Sequence, residues 1–370
     1  MYNRNKKRKK KIIKDYETIN IIEQEEEEIK NPKIKYLKSI FLSIFIILIS
    51  LLILCIIFHE KIFSQKFIKR IKYKNFINVA YAFDSNNYHY ITHISMKSIM
   101  LSQNKRTYII FYMLISSNIK SEEKEVIDKI CQQHKNCEIK YFEMDERYKE
   151  LSAPYVKIWS TADFYRLRLP DLLPNEKKLL YLDSDTLIYK DLTKIYNYNI
   201  TGTYFTGMLE PRDLGFLKLN ISNYINTGVT LFNLEELRFG NISKKMEEFL
   251  INHNNTKFLL PINDATNCVC HEKNGYFPPE FVQGRFCDIH SIDEYFDDLY
   301  IKLDKNELIK AYKDPYIYHL FGYNYKPWKG IIHDKKNVCI DPIIRFYEMA
   351  KKTDYYFDII ETFKISIPIK

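Results

Sequence analysis

The feature that most constrains the fold is Leu179-Leu180-Tyr181-Leu182-Asp183-Ser184-Asp185. Four apolar residues in a row read as a short buried strand, and two carboxylates stand at its C-terminal end. In an open α/β sheet that end is the rim where ligands bind. Two aspartates one residue apart can share a hard divalent cation, and such a cation can hold a diphosphate. Asp-x-Asp occurs only here in the 370 residues. Chance alone yields about one copy in a chain of this size and acidity, so the weight rests on the strand before it and on residues far downstream.

Strands alternate with helices on either side of this segment. Ile77 to Phe83 reads as a strand ending in the polar loop Asp84-Ser85-Asn86-Asn87-Tyr88, and Ile91, Ile94, Ser95, Ser98 and Ile99 mark one face of the helix that follows. Thr107–Leu114 and Cys137–Phe142 are further strands, with a helix between them for which Ser121 is the expected cap. Thr161–Leu169 is predicted helical and stopped by Pro170. Tyr224 to Phe232 reads as a turn feeding a buried strand, Lys244–His253 as an amphipathic helix, and residues 264–298 as loops over a site. The expectation is a doubly wound, mainly parallel sheet flanked by helices. Residues 76–335 form one large domain, with 336–370 as an extension packed on it.

Ile40–Phe58 is 19 residues without a charge, enough to cross a hydrocarbon core of about 30 Å. Small residues of a signal-peptide cleavage site do not follow it, so a single membrane anchor is expected. Residues 1–39 form a disordered tail, basic from Arg4 to Lys14 with an acidic run at Glu25–Glu28, and residues 59–75 a basic stem. Both flanks are basic, leaving a mild preference for a cytoplasmic N-terminus. A short tail and a long C-terminal domain favour the same type II topology, with that domain in the lumen of the Golgi or endoplasmic reticulum. The net charge of +9 is partly this tail and does not imply nucleic-acid binding. Six of the seven cysteines lie beyond the span, where a lumen permits disulfides whose pairing the spacing leaves open. Asn199, Asn220, Asn241 and Asn254 begin Asn-x-Ser/Thr triplets, which are compatible with a secretory location.

A second motif is His319-Leu320-Phe321-Gly322-Tyr323-Asn324-Tyr325-Lys326-Pro327-Trp328. An imidazole can complete the coordination of a cation held by Asp183 and Asp185, and mixed oxygen and nitrogen ligands suit Mn²⁺, with Mg²⁺ as the alternative. Gly322 permits close backbone approach to a phosphate, and Lys326 can neutralise one of its oxygens.

From about Ile77 to Trp328 the chain resembles glycosyltransferase family 8, the retaining nucleotide-sugar transferases related to glycogenin and bacterial lipopolysaccharide galactosyltransferases. The resemblance implies a GT-A-like fold and assigns roles block by block. Asp84, Asn87 and Tyr88 match the uracil-binding loop, with Tyr88 in the base-stacking place and Ser98 ten residues on. Arg166 matches an arginine near the donor, and Asp183 and Asp185 the metal-binding pair that also neighbours the ribose. Asn226 and Gly228 fall in the block that touches the donor sugar. His319, Gly322 and Lys326 match the metal and diphosphate ligands.

Two departures stand out. Where the family commonly has Asp-Gln-Asp, this chain has Ile262-Asn263-Asp264, so Asn263 replaces the glutamine beneath the anomeric carbon and Asp264 is the remaining acid. Lys326 also follows His319 by one residue more than the usual spacing. Together with the anchor read from Ile40–Phe58, the resemblance implies a membrane-anchored retaining hexosyltransferase that uses Mn²⁺ and a UDP-sugar, with Arg166, Asn263 and Asp264 at the catalytic centre. A glycan, glycoprotein or glycolipid would be the acceptor. The alternative is a pseudo-transferase, tethered to the membrane and binding without turnover.

Overall fold

The computed structural model describes residues 32–84, 87–155, 160–210, 224–256, 258, 260–284, 292, 304–321, 326–329 and 340–363. The charged tail before residue 32, Asn220, Gly322 and two of the cysteines beyond the apolar span, Cys287 and Cys339, therefore lie outside the described residues. The chain divides into two compact units, Met1–Lys72 and Tyr73–Lys370.

Among the described residues of the first unit a helix, α1, runs Pro32–Lys72. Its segment Ser39–Ile56 is long and apolar enough to cross a membrane, and none of it is buried within the protein. Two serines interrupt the apolar surface, and each returns its hydroxyl to its own helix: Ser43 Oγ donates to Ser39 O at 2.9 Å and Ser50 Oγ to Ile46 O at 2.8 Å. Polar groups satisfied in this way can be tolerated in hydrocarbon. The helix continues without a break through the first part of the expected stem.

The second unit is built on a seven-stranded sheet of order β3-β2-β1-β4-β7-β6-β8. The strands are β1 Asn75–Phe83, β2 Thr107–Ser116, β3 Cys137–Met144, β4 Lys178–Leu182, β6 Phe205–Leu209, β7 Ile225–Asn233 and β8 Asn274–Tyr276. β1 pairs in parallel with both β2 and β4, whereas β7 runs antiparallel to β4 and β6. A smaller sheet, β5-β10-β9, comprises Thr186–Ile188, Ile317–His319 and Val282–Gln283.

Strand alternation divides the core into two layers. Ile77, Val79, Tyr81 and Phe83 pack with Met96 and Ile99 of helix α2 (Tyr88–Ser102) and with Ile127 and Ile130 of α3 (Ser121–Gln133). Ala80, Leu179 and Tyr181 face the other way, against Phe164, Tyr165, Ile225 and Phe232. Strands buried on both faces need apolar residues at nearly every position, which is why they read as continuous runs. Each such aliphatic side chain contributes about 2 kcal/mol.

Several local expectations are revised. Lys120, not Ser121, caps α3: its amide donates to Glu123 Oε2 at 2.9 Å. Pro170 does not end a helix but sits inside the turn Leu169–Leu172, at a first-turn position where a missing N–H costs nothing. Asn226-Thr227-Gly228 lie within β7, the amphipathic helix α4 runs Ile242–Asn252, and Pro261–Cys270 forms a helix, α5, where loop was expected. Among the cysteines, Cys131 pairs with Cys137 in a disulfide that ties α3 to β3.

Candidate functional site

The chain winds from β1 outward to β2 and β3, then returns to place β4 on the other side of β1. That reversal opens a crevice at the C-terminal ends of β1 and β4, the general ligand position of open α/β sheets. Asp84 follows β1 there and Asp183 follows β4.

His319 reaches the same point from the small sheet. Antiparallel pairing of β10 with β5 sets His319 opposite Thr186, and Leu320 N donates to Asp185 O at 2.8 Å. Asp183, Asp185 and His319 consequently each present a ligand atom, all within 4.8 Å of one another. His319 Nε2 stands 3.2 Å from Asp185 Oδ1 and 3.6 Å from Asp183 Oδ2. Gly228 of β7 forms the floor: a Cβ there would run into the Asp183 carboxylate and the His319 ring, whose Nε2 would lie at 2.9 Å. Two carboxylate oxygens and an imidazole nitrogen at chelating separation, over a floor left clear by glycine, fit a divalent cation.

The carboxylates are held from beneath. Thr186 Oγ1 donates to Asp183 O at 2.9 Å and meets Ser95 Oγ at 2.8 Å, which in turn meets Tyr81 OH at 2.7 Å. Thr92 Oγ1 donates to Ser184 Oγ at 2.7 Å. Ser98 stays in this support rather than in the site, accepting from Ile188 N at 2.8 Å and donating to Ser95 O at 2.6 Å. The hydroxyl face of α2 thus fixes the turn carrying both aspartates.

Arg166 is almost fully buried and bridges three elements. Its NH2 donates to Asp183 Oδ1 at 2.9 Å, its NH1 to Thr227 O at 2.9 Å, and its guanidinium lies 4.1 Å from the centre of the Tyr181 ring. Asp163 stands 3.6 Å from the same guanidinium. Burial pushes the Asp163 carboxyl above the ordinary range, Arg166 opposes this, and the nearby Asp183, Asp84 and Asp185 add to the rise. On the other side, burial would raise Asp185, but the Lys326 ammonium and then His319 hold it well below the usual carboxylate range. Lys326 Nζ contacts Asp185 Oδ2 and also donates to Leu320 O at 2.8 Å.

The remaining expected residues divide between the crevice and its walls. Asp84 accepts from Ser160 Oγ at 2.5 Å. Asn87 is exposed, in the left-handed region at φ 63° just before α2, a conformation asparagine tolerates. Tyr88 is half-buried and meets Trp328 edge-on with ring centres 6.2 Å apart. Asn226 Oδ1 accepts from Gly228 N at 2.9 Å, and its amide donates to Glu210 at 3.3 Å. Asn263 Oδ1 accepts from Thr227 Oγ1, continuing the chain that runs through Arg166 to Asp183. Asp264 turns into the wall instead: Tyr224 OH donates to its Oδ1 at 2.7 Å and Leu260 N to its Oδ2 at 3.3 Å. Ile262 is buried in the apolar layer. Thr227, Asp163 and Trp328 carry no role read from the sequence; each touches a site residue, and spacing alone carries no sign of that.

A mainly parallel sheet with its crevice at a switch point, two strand-end aspartates and a histidine from a second sheet define a GT-A domain. Residues 78–331 match the family model described as glycosyl transferase family 8, and the chain belongs to that family. Among curated relatives, General stress protein A of Bacillus subtilis is 26% identical over 167 residues, 43% of this chain and 58% of that protein. A putative glycosyltransferase of Haemophilus influenzae is 24% identical, over 55% of this chain and 61% of its own length. The lipopolysaccharide 1,3-galactosyltransferase of Salmonella typhimurium is 23% identical, over 47% and 53%. The chain thus spans roughly half to three-fifths of these relatives. The crystal structure of the galactosyltransferase LgtC with donor and acceptor sugar analogs shares the fold at a TM-score of 0.61 and 19% identity, covering 76% of this chain and 100% of LgtC.

Proposed function

We propose that this glycosyltransferase moves a hexose, glucose or galactose, from a UDP-sugar to an acceptor hydroxyl with retention, using Mn²⁺. The observation that carries this reading is the meeting of Asp183, Asp185 and His319 over the bare floor of Gly228. A divalent cation held there would neutralise the diphosphate of the donor. Asp84, Asn87 and Tyr88 at the end of β1 would receive the uridine, with Tyr88 beneath the base. Asn226 and Gly228 would line the sugar, and Gly322 and Lys326 would meet the phosphates.

Arg166 orients Asp183 through its hydrogen bond to Oδ1, and Asn263 positions Thr227 behind it. The Asn263 amide is engaged in that bond and is a poor nucleophile, so the front-face route is favoured. The acceptor oxygen bonds to the anomeric carbon on the face the diphosphate leaves, and the acceptor proton passes to the departing phosphate oxygen. Trapping a glycosyl-enzyme adduct on any side chain would contradict this route. Asp264, with its carboxylate bonded to Tyr224 and Leu260, positions α5 against β7.

Ser39–Ile56 supports a single-pass anchor. A type II arrangement puts the family 8 domain in a secretory lumen, Golgi or endoplasmic reticulum, where the Cys131–Cys137 disulfide is chemically at home. Acceptors would then be glycans, glycoproteins or glycolipids of that lumen. Burial of Ile262, where the family carries an acid, favours a second reading, a pseudo-transferase that binds donor without turnover.

Hydrolysis of UDP-glucose and UDP-galactose by the detergent-solubilised protein, with and without Mn²⁺, separates the two. Turnover that falls roughly 10²–10³-fold in Asp185→Ala and His319→Ala is expected, the scale for losing one electrostatic stabiliser. UDP binding without turnover on any donor or acceptor would leave the pseudo-transferase.

A further inference from the structure

Each of the two strand-end carboxylates already faces a cation of its own. Asp183 gives one oxygen, Oδ1, to Arg166 at 2.9 Å and leaves Oδ2 towards His319. Asp185 has no oxygen to spare: Oδ1 faces His319 at 3.2 Å and Oδ2 carries the Lys326 ammonium. A divalent ion seated among the three ligands must take one of the Asp185 oxygens, and the two internal cations differ in how readily they could yield.

Arg166 cannot leave. Its side chain is 5% exposed and is bound at once by Asp183, Thr227 and the Asp163 carbonyl. Lys326 ends a long flexible side chain and touches two acceptors, Asp185 Oδ2 and Leu320 O at 2.8 Å. The second acceptor is prebuilt, because the Leu320 N to Asp185 O bond sets the Leu320 carbonyl beside the carboxylate. Trp328 lies 5.5 Å from the ammonium, and Tyr347 OH donates to Pro327 O at 3.0 Å, so the residues after Lys326 are tied to helix α6 (Ile340–Ala350). The backbone is anchored while the charged end is exchangeable.

We infer that Lys326 is an internal counter-ion occupying the cation-binding oxygen of Asp185 until a divalent ion and a diphosphate arrive together. This rests on reading Asp183, Asp185 and His319 as the cation site. Free cation must then displace an ammonium that has nowhere better to go. A cation accompanied by a diphosphate offers the ammonium a phosphate oxygen in exchange. The ligand-free protein therefore binds metal alone weakly and metal with nucleotide strongly, and Lys326 is the cause of the difference.

The test is Mn²⁺ titration of the untagged full-length protein in detergent, followed by the electron paramagnetic resonance signal of free Mn²⁺, first without nucleotide and then with UDP. Lys326→Met should tighten Mn²⁺ binding about tenfold in the absence of UDP, and weaken UDP binding at saturating Mn²⁺. Lys326→Arg should stay near the wild type in the first titration. Lys326→Gln, which keeps a polar head, provides the same comparison should the methionine variant unfold. Equal or weaker Mn²⁺ binding by folded Lys326→Met and Lys326→Gln overturns the counter-ion role. Mn²⁺ binding that survives in Asp185→Ala and His319→Ala, or that is absent from all forms, overturns the underlying site instead.

Discussion

An alanine at position 228 would drive its Cβ into the Asp183 carboxylate and the His319 ring, two groups that cannot both retreat. Asp183 is tied to Arg166, and His319 is fixed by the β10–β5 pairing. Gly228→Ala should therefore keep a native circular dichroism spectrum yet lose Mn²⁺ affinity by about 10–100-fold, the scale for disturbing the support of a metal ligand. Retained affinity would mean that the cation sits elsewhere in the crevice. A milder effect is expected at Tyr224, whose hydroxyl satisfies Asp264 inside the protein. Burial already raises the Asp264 carboxyl, and the Tyr224 hydrogen bond lowers it. Tyr224→Phe leaves that oxygen short of a donor and should lower stability by about 1–3 kcal/mol, read as a shifted urea midpoint. An unchanged midpoint would show that water replaces the phenol.

At the scale of elements, α2 and α3 meet through His93, whose Nδ1 lies 2.7 Å from Val126 O. Burial holds this imidazole down to about 4; the Val126 carbonyl and Asp354 oppose that, and Lys97 and His89 assist it. An unfolded histidine titrates near 6.5, so between those values the unfolded chain binds a proton that the folded chain excludes. Stability should fall as pH drops from about 6.5 to 4, by ~3 kcal/mol in full, then level off. His93→Gln should flatten that slope in denaturant titrations at pH 7 and pH 5; a slope that persists would assign it to other groups.

Elements differ in how plainly the sequence declares them. β1, β2 and β4 are buried on both faces, and their continuous apolar runs are visible without a structure. α5 is not, because Asp264, Thr266 and Asn267 are buried there and its polar residues serve neighbours. Asn267 Oδ1 accepts from Ile225 N at 2.8 Å, for example. The strands of the small sheet are two or three residues long, too short for any period to show. The identities of Asp183, Asp185 and His319 were legible as residue types in order, whereas the register that brings them together was not. Nothing in the composition of Tyr224–Phe232 separates a turn from a strand, since only pairing with β4 and β6 decides it.

For the whole molecule, the proposed topology has direct physical consequences. The protein should remain in the membrane pellet after alkaline carbonate washing and be released by detergent. In sealed vesicles the family 8 domain should resist added protease. Asn199, Asn241 and Asn254 are exposed, so glycosidase treatment of protein from a glycosylating secretory pathway should reduce its mass. A domain cleaved in intact vesicles would place it on the cytosolic side.

The three proposed cation ligands do not belong to one sheet. Asp183 ends a strand of the large sheet, while Asp185 and His319 are set by the pairing of β5 with β10. A chain in which the large sheet has formed but the small one has not would hold two of the ligands unassembled. The complete chelate thus exists only once the small sheet has docked, and ligand binding to the folded chain favours that docking. A nucleotide–metal pair present during biosynthesis would therefore offset substitutions that weaken the small sheet.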